Sequence, residues 1–75
     1  MSHASAIRVL VLQEVRRTRD ALVMLLEGTA GFACVGACDT AEMALRHVPR
    51  SRPQVVLVDL DLPGMGGTAF LAACR

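Results

Sequence analysis

The 75-residue chain contains no lysine, no tryptophan and no tyrosine, and its only aromatic side chains are two phenylalanines. All eight cations are therefore arginines, spread along the chain and matched by seven acids for a net charge of +1. That balance excludes the concentrated basic footprint of a nucleic-acid or membrane-surface binder. Apolar runs fall far short of the ~20 residues that span a bilayer. Residues 1–6 lack the basic and apolar regions of a signal peptide, so a cytoplasmic protein is expected. Cys34, Cys38 and Cys74 are odd in number and lack the spacing of a disulfide framework; they read as small buried hydrophobes in a reducing compartment. A hydrophobic share of 53% with a net charge of only +1 excludes intrinsic disorder, which needs low hydrophobicity and high net charge.

What the chain does have is enough residues for one small domain. A single core below about 80 residues seldom supplies more than about 3–5 kcal/mol of net stability, and this chain has no disulfide framework or zinc signature to add to it. The run Ile-Arg-Val-Leu-Val-Leu at 7–12 is apolar almost without a break, as in a central parallel strand covered on both faces. Over 16–27 the period changes: Thr18, Leu22, Leu25 and Leu26 share one side of a helix and the charged residues hold the other. Gly28 follows where a helix end favours positive φ. A second strand is expected over 32–37, softened by Gly36. Asp39 and Glu42 resemble a capping box opening a helix over 40–48, which Pro49 would stop. The strongest strand spans 54–59 and ends on Asp59; residues 60–67 form a Pro/Gly loop; a third helix over 68–75, capped by Thr68, is cut short. The order β-α-β-α-β-loop-α has crossovers of the right length for parallel strands.

Several constellations read as structural. Cys34, Cys38 and His47 lack zinc-ligand spacing, so core packing is preferred for the cysteines and a solvent-facing helix position for His47. His3 falls in a disordered tail over 1–6, and Met24, Met43 and Met65 read as filler of core or loop. Gly64, Gly66 and Gly67 are not followed by Lys-Ser/Thr and serve a tight turn, not a phosphate cradle. A small phosphatase with Asp59 as nucleophile would want a lysine that the chain lacks.

The acids are different. Glu14 lies just past the first strand, Asp59 ends the third, and Asp61 follows in the loop. In open α/β sheets ligands bind outside the carboxyl ends of the strands, where strand order reverses. With strand 1 between strands 2 and 3, Glu14 and Asp59 meet at that crevice, their strands about 5 Å apart. Carboxylates this close repel unless a cation lies between them, and a hard divalent ion suits them. The plain alternative is that these acids are solvated or paired with Arg16 and Arg17.

The stretch Arg52-Pro53-Gln54-Val55-Val56-Leu57-Val58-Asp59-Leu60-Asp61-Leu62-Pro63-Gly64-Met65-Gly66-Gly67, together with the first strand, Glu14, Leu25-Leu26-Glu27, Val35-Gly36 and Ala44-Leu45, resembles the receiver domain of bacterial two-component response regulators. The subfamily with a helix-turn-helix output domain is the most similar. The resemblance covers nearly the whole chain. It implies a flavodoxin-like α/β fold, a parallel sheet with helices on both faces, here truncated after strand 3 and the start of helix 3. It implies that Asp59 accepts a phosphoryl group from a histidine kinase and signals to an output domain, making the chain a phosphoacceptor and not a turnover enzyme. Mg²⁺ would be held by Glu14, Asp59 and the backbone carbonyl of Asp61. The family's first acid falls on Gln13, which holds the metal only weakly through a water, so Mg²⁺ affinity should drop. Arg16 or Arg17 could instead neutralise the acids and make a phosphorylation-independent pseudo-receiver, an interaction module. The family's later hydroxyl and lysine positions lie past Arg75, and no lysine substitutes for them. The chain is therefore expected to be a fragment, or a form that self-associates through the edge of strand 3 or a swapped element, and to be unable to switch alone. No direct nucleic-acid or membrane contact by these residues is expected.

Overall fold

A computed structural model describes residues 6–59 and 72–73. Three strands and two helices alternate: β1 (Ile7–Leu12), α1 (Arg16–Glu27), β2 (Phe32–Cys38), α2 (Ala41–Ser51) and β3 (Val55–Val58). The sheet is parallel, in the order β2-β1-β3, so the first strand is central, as its nearly continuous apolar run suggests. Ala72 and Ala73 are helical. Residues 1–5 of the expected tail, the loop 60–67 with Asp61 and Met65, the Thr68 cap and Cys74 lie outside the described residues.

Alternation along β1 builds two cores. Val9 and Val11 point to one face and meet Leu26, with Leu22, Val23, Cys34 and Leu57 around them. Leu10 and Leu12 point to the other and meet Cys38, Ala41 and Ala44, with Val35, Leu45, Val48, Val56 and Val58. One helix thus covers each face, α1 the first and α2 the second. Only β1 is buried on both faces as expected for all three strands; β2 and β3 are mostly half-buried, because among the described residues each has a neighbour on one side only.

The details of the elements depart from the sequence reading in five places. The inward stripe of α1 is Arg19, Leu22, Val23 and Leu26, while Thr18 is exposed and Leu25 is 64% exposed. Residues 21–26 are six apolar residues in a row, so periodicity alone does not choose the face. Gly28 takes a helical φ of −87°, and the positive φ falls on Gly31 at 92°. The cap of α2 is Thr40, not Asp39: its hydroxyl accepts from the Met43 N–H at 3.2 Å. Pro49 does not stop α2. It sits in the last turn, where its missing N–H costs one helical hydrogen bond, and the end is closed beyond it by the Ser51 hydroxyl donating to the His47 carbonyl at 2.8 Å and the Arg52 N–H to Val48 at 2.9 Å. Finally, β2 extends one residue to Cys38, and β3 is shorter than 54–59.

Gly36 has a specific task. Val9 pairs with Cys34 but Leu10 pairs with Gly36, so Val35 is an extra residue in β2. This is why Val35 and Cys38, three residues apart, both pack on the α2 side. At Gly36 the strand runs so close to Leu10 that a Cβ would stand 2.7 Å from Leu10 Cδ1. Leu10 is fully buried, so its Cδ1 can yield only against the surrounding core. Gly36→Ala should therefore cost about 1–3 kcal/mol as overpacking. Leu10→Val, which removes that Cδ1, should restore part of the loss in the double variant. Urea unfolding of the four proteins of this cycle measures the coupling; strict additivity would show that the overlap is not the cause.

Candidate functional site

The lower end of the sheet fixes the upper. At the start of β1, the Arg8 N–H donates to Gln54 Oε1 at 3.0 Å and the Gln54 N–H donates back to the Arg8 carbonyl at 2.8 Å. The Arg8 Nε–H reaches the Arg52 carbonyl at 2.9 Å. These bonds set β3 against β1 in the register Val9↔Val55 to Leu12↔Val58. With that register Asp59 emerges beside the end of β1, and its N–H donates to the Leu12 carbonyl at 2.9 Å. On the other side the Gln13 N–H donates to the Cys38 carbonyl at 3.1 Å. Backbone hydrogen bonds thus gather Asp59, Gln13 and the end of β2 at one edge, at the carboxyl ends of the strands. Asp59 and Gln13 are half-buried and Glu14 is exposed. Asp61 lies outside the described residues.

The arginine at this edge is one that sequence reading passed over. Arg16 turns to Asp20 in an exposed pair at 3.7 Å, and Arg17 is exposed. Arg19, one turn into α1, donates through Nη1 to the Gln13 carbonyl at 3.0 Å and the Glu14 carbonyl at 3.3 Å. The available signal was its spacing: a long donor six residues after Gln13, on the side of α1 that faces the sheet.

The cysteines are packing residues, as expected for Cys34 and Cys38, both free. Burial, with the Asp39 charge adding to it and Arg19 opposing it, pushes the Cys38 thiol up, so at neutral pH it stays protonated and is no ready metal ligand or nucleophile. His47 is half-buried rather than turned to solvent. Among the described residues no helix is long and apolar enough to cross a membrane.

The sheet is parallel with its first strand central, Glu14 follows β1 and Asp59 follows β3; the comparison with known families decides which fold this is. The family model described as the response regulator receiver domain matches residues 9–75. The chain belongs to the response regulator receiver family. It is 40% identical over 65 residues to protein-glutamate methylesterase/protein-glutamine glutaminase 6 of Anaeromyxobacter dehalogenans, covering 87% of this chain and 19% of that protein. To the response regulator GacA of Pseudomonas viridiflava it is 36% identical over 61 residues, 81% of this chain and 28% of the relative. The signal receiver domain of the response regulator NarL from Mycobacterium tuberculosis superposes with a TM-score of 0.88 at 31% identity, covering 95% of this chain and 57% of that one. A LuxR-family response regulator from Aurantimonas sp. SI85-9A1 gives 0.86 at 30%, over 95% and 51%. The flavodoxin-like receiver fold is thus shown, and the chain spans well under two thirds of the length of each of these relatives.

Receiver domains use Mg²⁺, and the donors here can be checked against it. Glu14 and Asp59 offer two carboxylates and Gln13 one amide oxygen, which meets the habit of Mg²⁺ of taking one or two carboxylates and keeping several waters. Among the described residues no three His, Cys, Asp or Glu side chains gather as a metal-holding group. The set fits a largely hydrated, loosely held ion and not a closed cage.

Proposed function

We propose that this receiver is a phosphoacceptor of a two-component phosphorelay, with Asp59 receiving the phosphoryl group from a histidine kinase and the modified state signalling to an output domain. The observation that carries the reading is the Asp59 N–H bond to the Leu12 carbonyl, which supports placing the acid beside Gln13 and Glu14 at the strand-end crevice. In the transfer a carboxylate oxygen of Asp59 forms a bond to phosphorus while the bond from phosphorus to the kinase imidazole breaks, and the electron pair leaves with the imidazole nitrogen. The product is an acyl phosphate. Glu14, Asp59, the Asp61 backbone carbonyl and, through a water, Gln13 would hold Mg²⁺. When bound, that ion supplies positive charge opposite the phosphoryl oxygens. Positioning and electrostatics account for most of the rate in such a transfer.

On this reading the domain carries out at most one self-catalysed transfer and turns over no substrate of its own, and this stretch of it does not switch alone. The cytoplasm as its compartment, a DNA-binding output domain and self-association through the β3 edge or a swapped element belong to the same proposal. Incubation of the intact protein with acetyl phosphate and Mg²⁺, followed by mass spectrometry, is expected to show one adduct of about 80 Da, mapping to residue 59. Absence of the adduct at every Mg²⁺ concentration favours the second reading, a phosphorylation-independent interaction module, to which Gln13 and the bonded Arg19 lend support.

A further inference from the structure

Among the described residues, Glu14 follows β1, Asp39 follows β2, and the Arg19 guanidinium reaches back over the end of β1 at the carboxyl edge of the sheet. Arg19 is the one held in place. Its Nη1 is fixed between the carbonyls of Gln13 and Glu14, the two residues that follow β1, at 3.0 and 3.3 Å. It is half-buried, unlike Arg16, which is tied to Asp20 with both side chains largely in water. At the end of β2 the same charge opposes, as the smallest of three influences, the upward push that burial and Asp39 give the Cys38 thiol. A divalent ion approaching Glu14 and Asp59 therefore meets a neutral amide at Gln13 and a fixed positive charge bonded to the same two backbone units. The two features act in the same direction, one by taking away attraction and the other by adding repulsion.

We propose that Arg19 is a fixed counter-charge that weakens divalent-cation binding at the strand-end acids, so that neutralising it tightens the site for the metal. This rests on the receiver reading of the site, but its sign is particular to the arrangement seen here. A purely structural staple would act in the opposite sense: losing it would loosen the Gln13–Glu14 segment, scatter the donors and weaken binding.

The test is calorimetric titration of Mn²⁺ into the intact protein at constant ionic strength, so that screening does not vary. Arg19→Gln removes the charge and keeps an amide donor; Arg19→Met is a second neutral variant should the first fail to give a cooperative melt. Arg19→Lys keeps the charge. A single unit charge several ångströms from a divalent ion in a partly solvated site alters affinity by about three- to tenfold. The neutral variants are expected to bind Mn²⁺ tighter by that factor, or to show binding where the unsubstituted protein shows none, while Arg19→Lys stays within about twofold of the parent. Unchanged or weaker binding in the folded neutral variants overturns the proposal, as does a lysine variant that tightens as much as they do. No phosphodonor is present in this titration. Failure here therefore leaves the phosphorylation of Asp59 untouched, and a missing adduct at Asp59 leaves the order of Mn²⁺ affinities standing.

Discussion

Exchange of Asp59 for asparagine is expected to abolish the acetyl-phosphate adduct entirely while leaving the fold in place. The substitution is nearly isosteric, and the bond that positions residue 59 is made by its backbone, N–H to the Leu12 carbonyl, so the new side chain stands where the old one did. What changes is chemistry. An amide oxygen carries no full negative charge to attack phosphorus, and it is a poorer donor to a hard cation. The stabilisation that Mg²⁺ gives the parent, which grows with site occupancy, should shrink in the same variant. An adduct of unchanged yield in the asparagine variant would move the acceptor to another residue and remove Asp59 from the site.

Leu10→Ala should unfold most of the protein at room temperature. Leu10 is 0% exposed at the centre of the α2-side core, packed among Leu12, Cys38, Ala41 and Ala44. Truncating such a leucine costs about 2–5 kcal/mol, the spread reflecting how far the cavity collapses. Collapse is hindered here because the Leu10 side chain fills the space that Gly36 leaves open. A single core of this many residues seldom supplies more than about 3–5 kcal/mol in total. The loss is therefore comparable to the whole. Leu25→Ala is the matched control: at 64% exposure on α1 it should shift stability by no more than about 0.5 kcal/mol. Thermal melts followed by circular dichroism separate the two. Equal destabilisation of both variants would mean that the inward face of α1 is not Leu22, Val23 and Leu26.

The strand order and the meeting of the β1 and β3 ends were legible because they follow from coarse patterns. An apolar run too long for a half-exposed strand has to be central, and two short crossovers then leave its neighbours on either side. Strand ends carry their acids with them, so Glu14 and Asp59 came with the topology. What stayed hidden depends on a choice among near-equivalent neighbours. Asp39 and Thr40 are adjacent and both cap helices well; which one turns its oxygen inward depends on where β2 stops, and β2 reaches one residue further than its sequence suggests, to Cys38. In α1 the six-residue apolar run hides the phase of the helix, and a rotation of one residue separates Val23 inside from Leu25 outside. Arg19 was obscured for a related reason. Three arginines fall within four positions, and only the bend between β1 and α1 determines which of them folds back over the carbonyls of Gln13 and Glu14.

The extra residue at Val35 also gives the sheet a direction in which it can grow. A strand laid against the outside of β2 would have to follow a ladder whose spacing changes halfway along, on a strand that the insertion bends and twists; bulges at sheet edges discourage such pairing for this reason. Along Val55–Val58 the pairing of β3 with β1 runs residue for residue without a shift. Any additional strand, from whatever source, therefore finds a regular template beside β3 and an interrupted one beside β2. A single inserted residue makes the two borders of the sheet unequal, and it does so at the position where glycine makes room for Leu10.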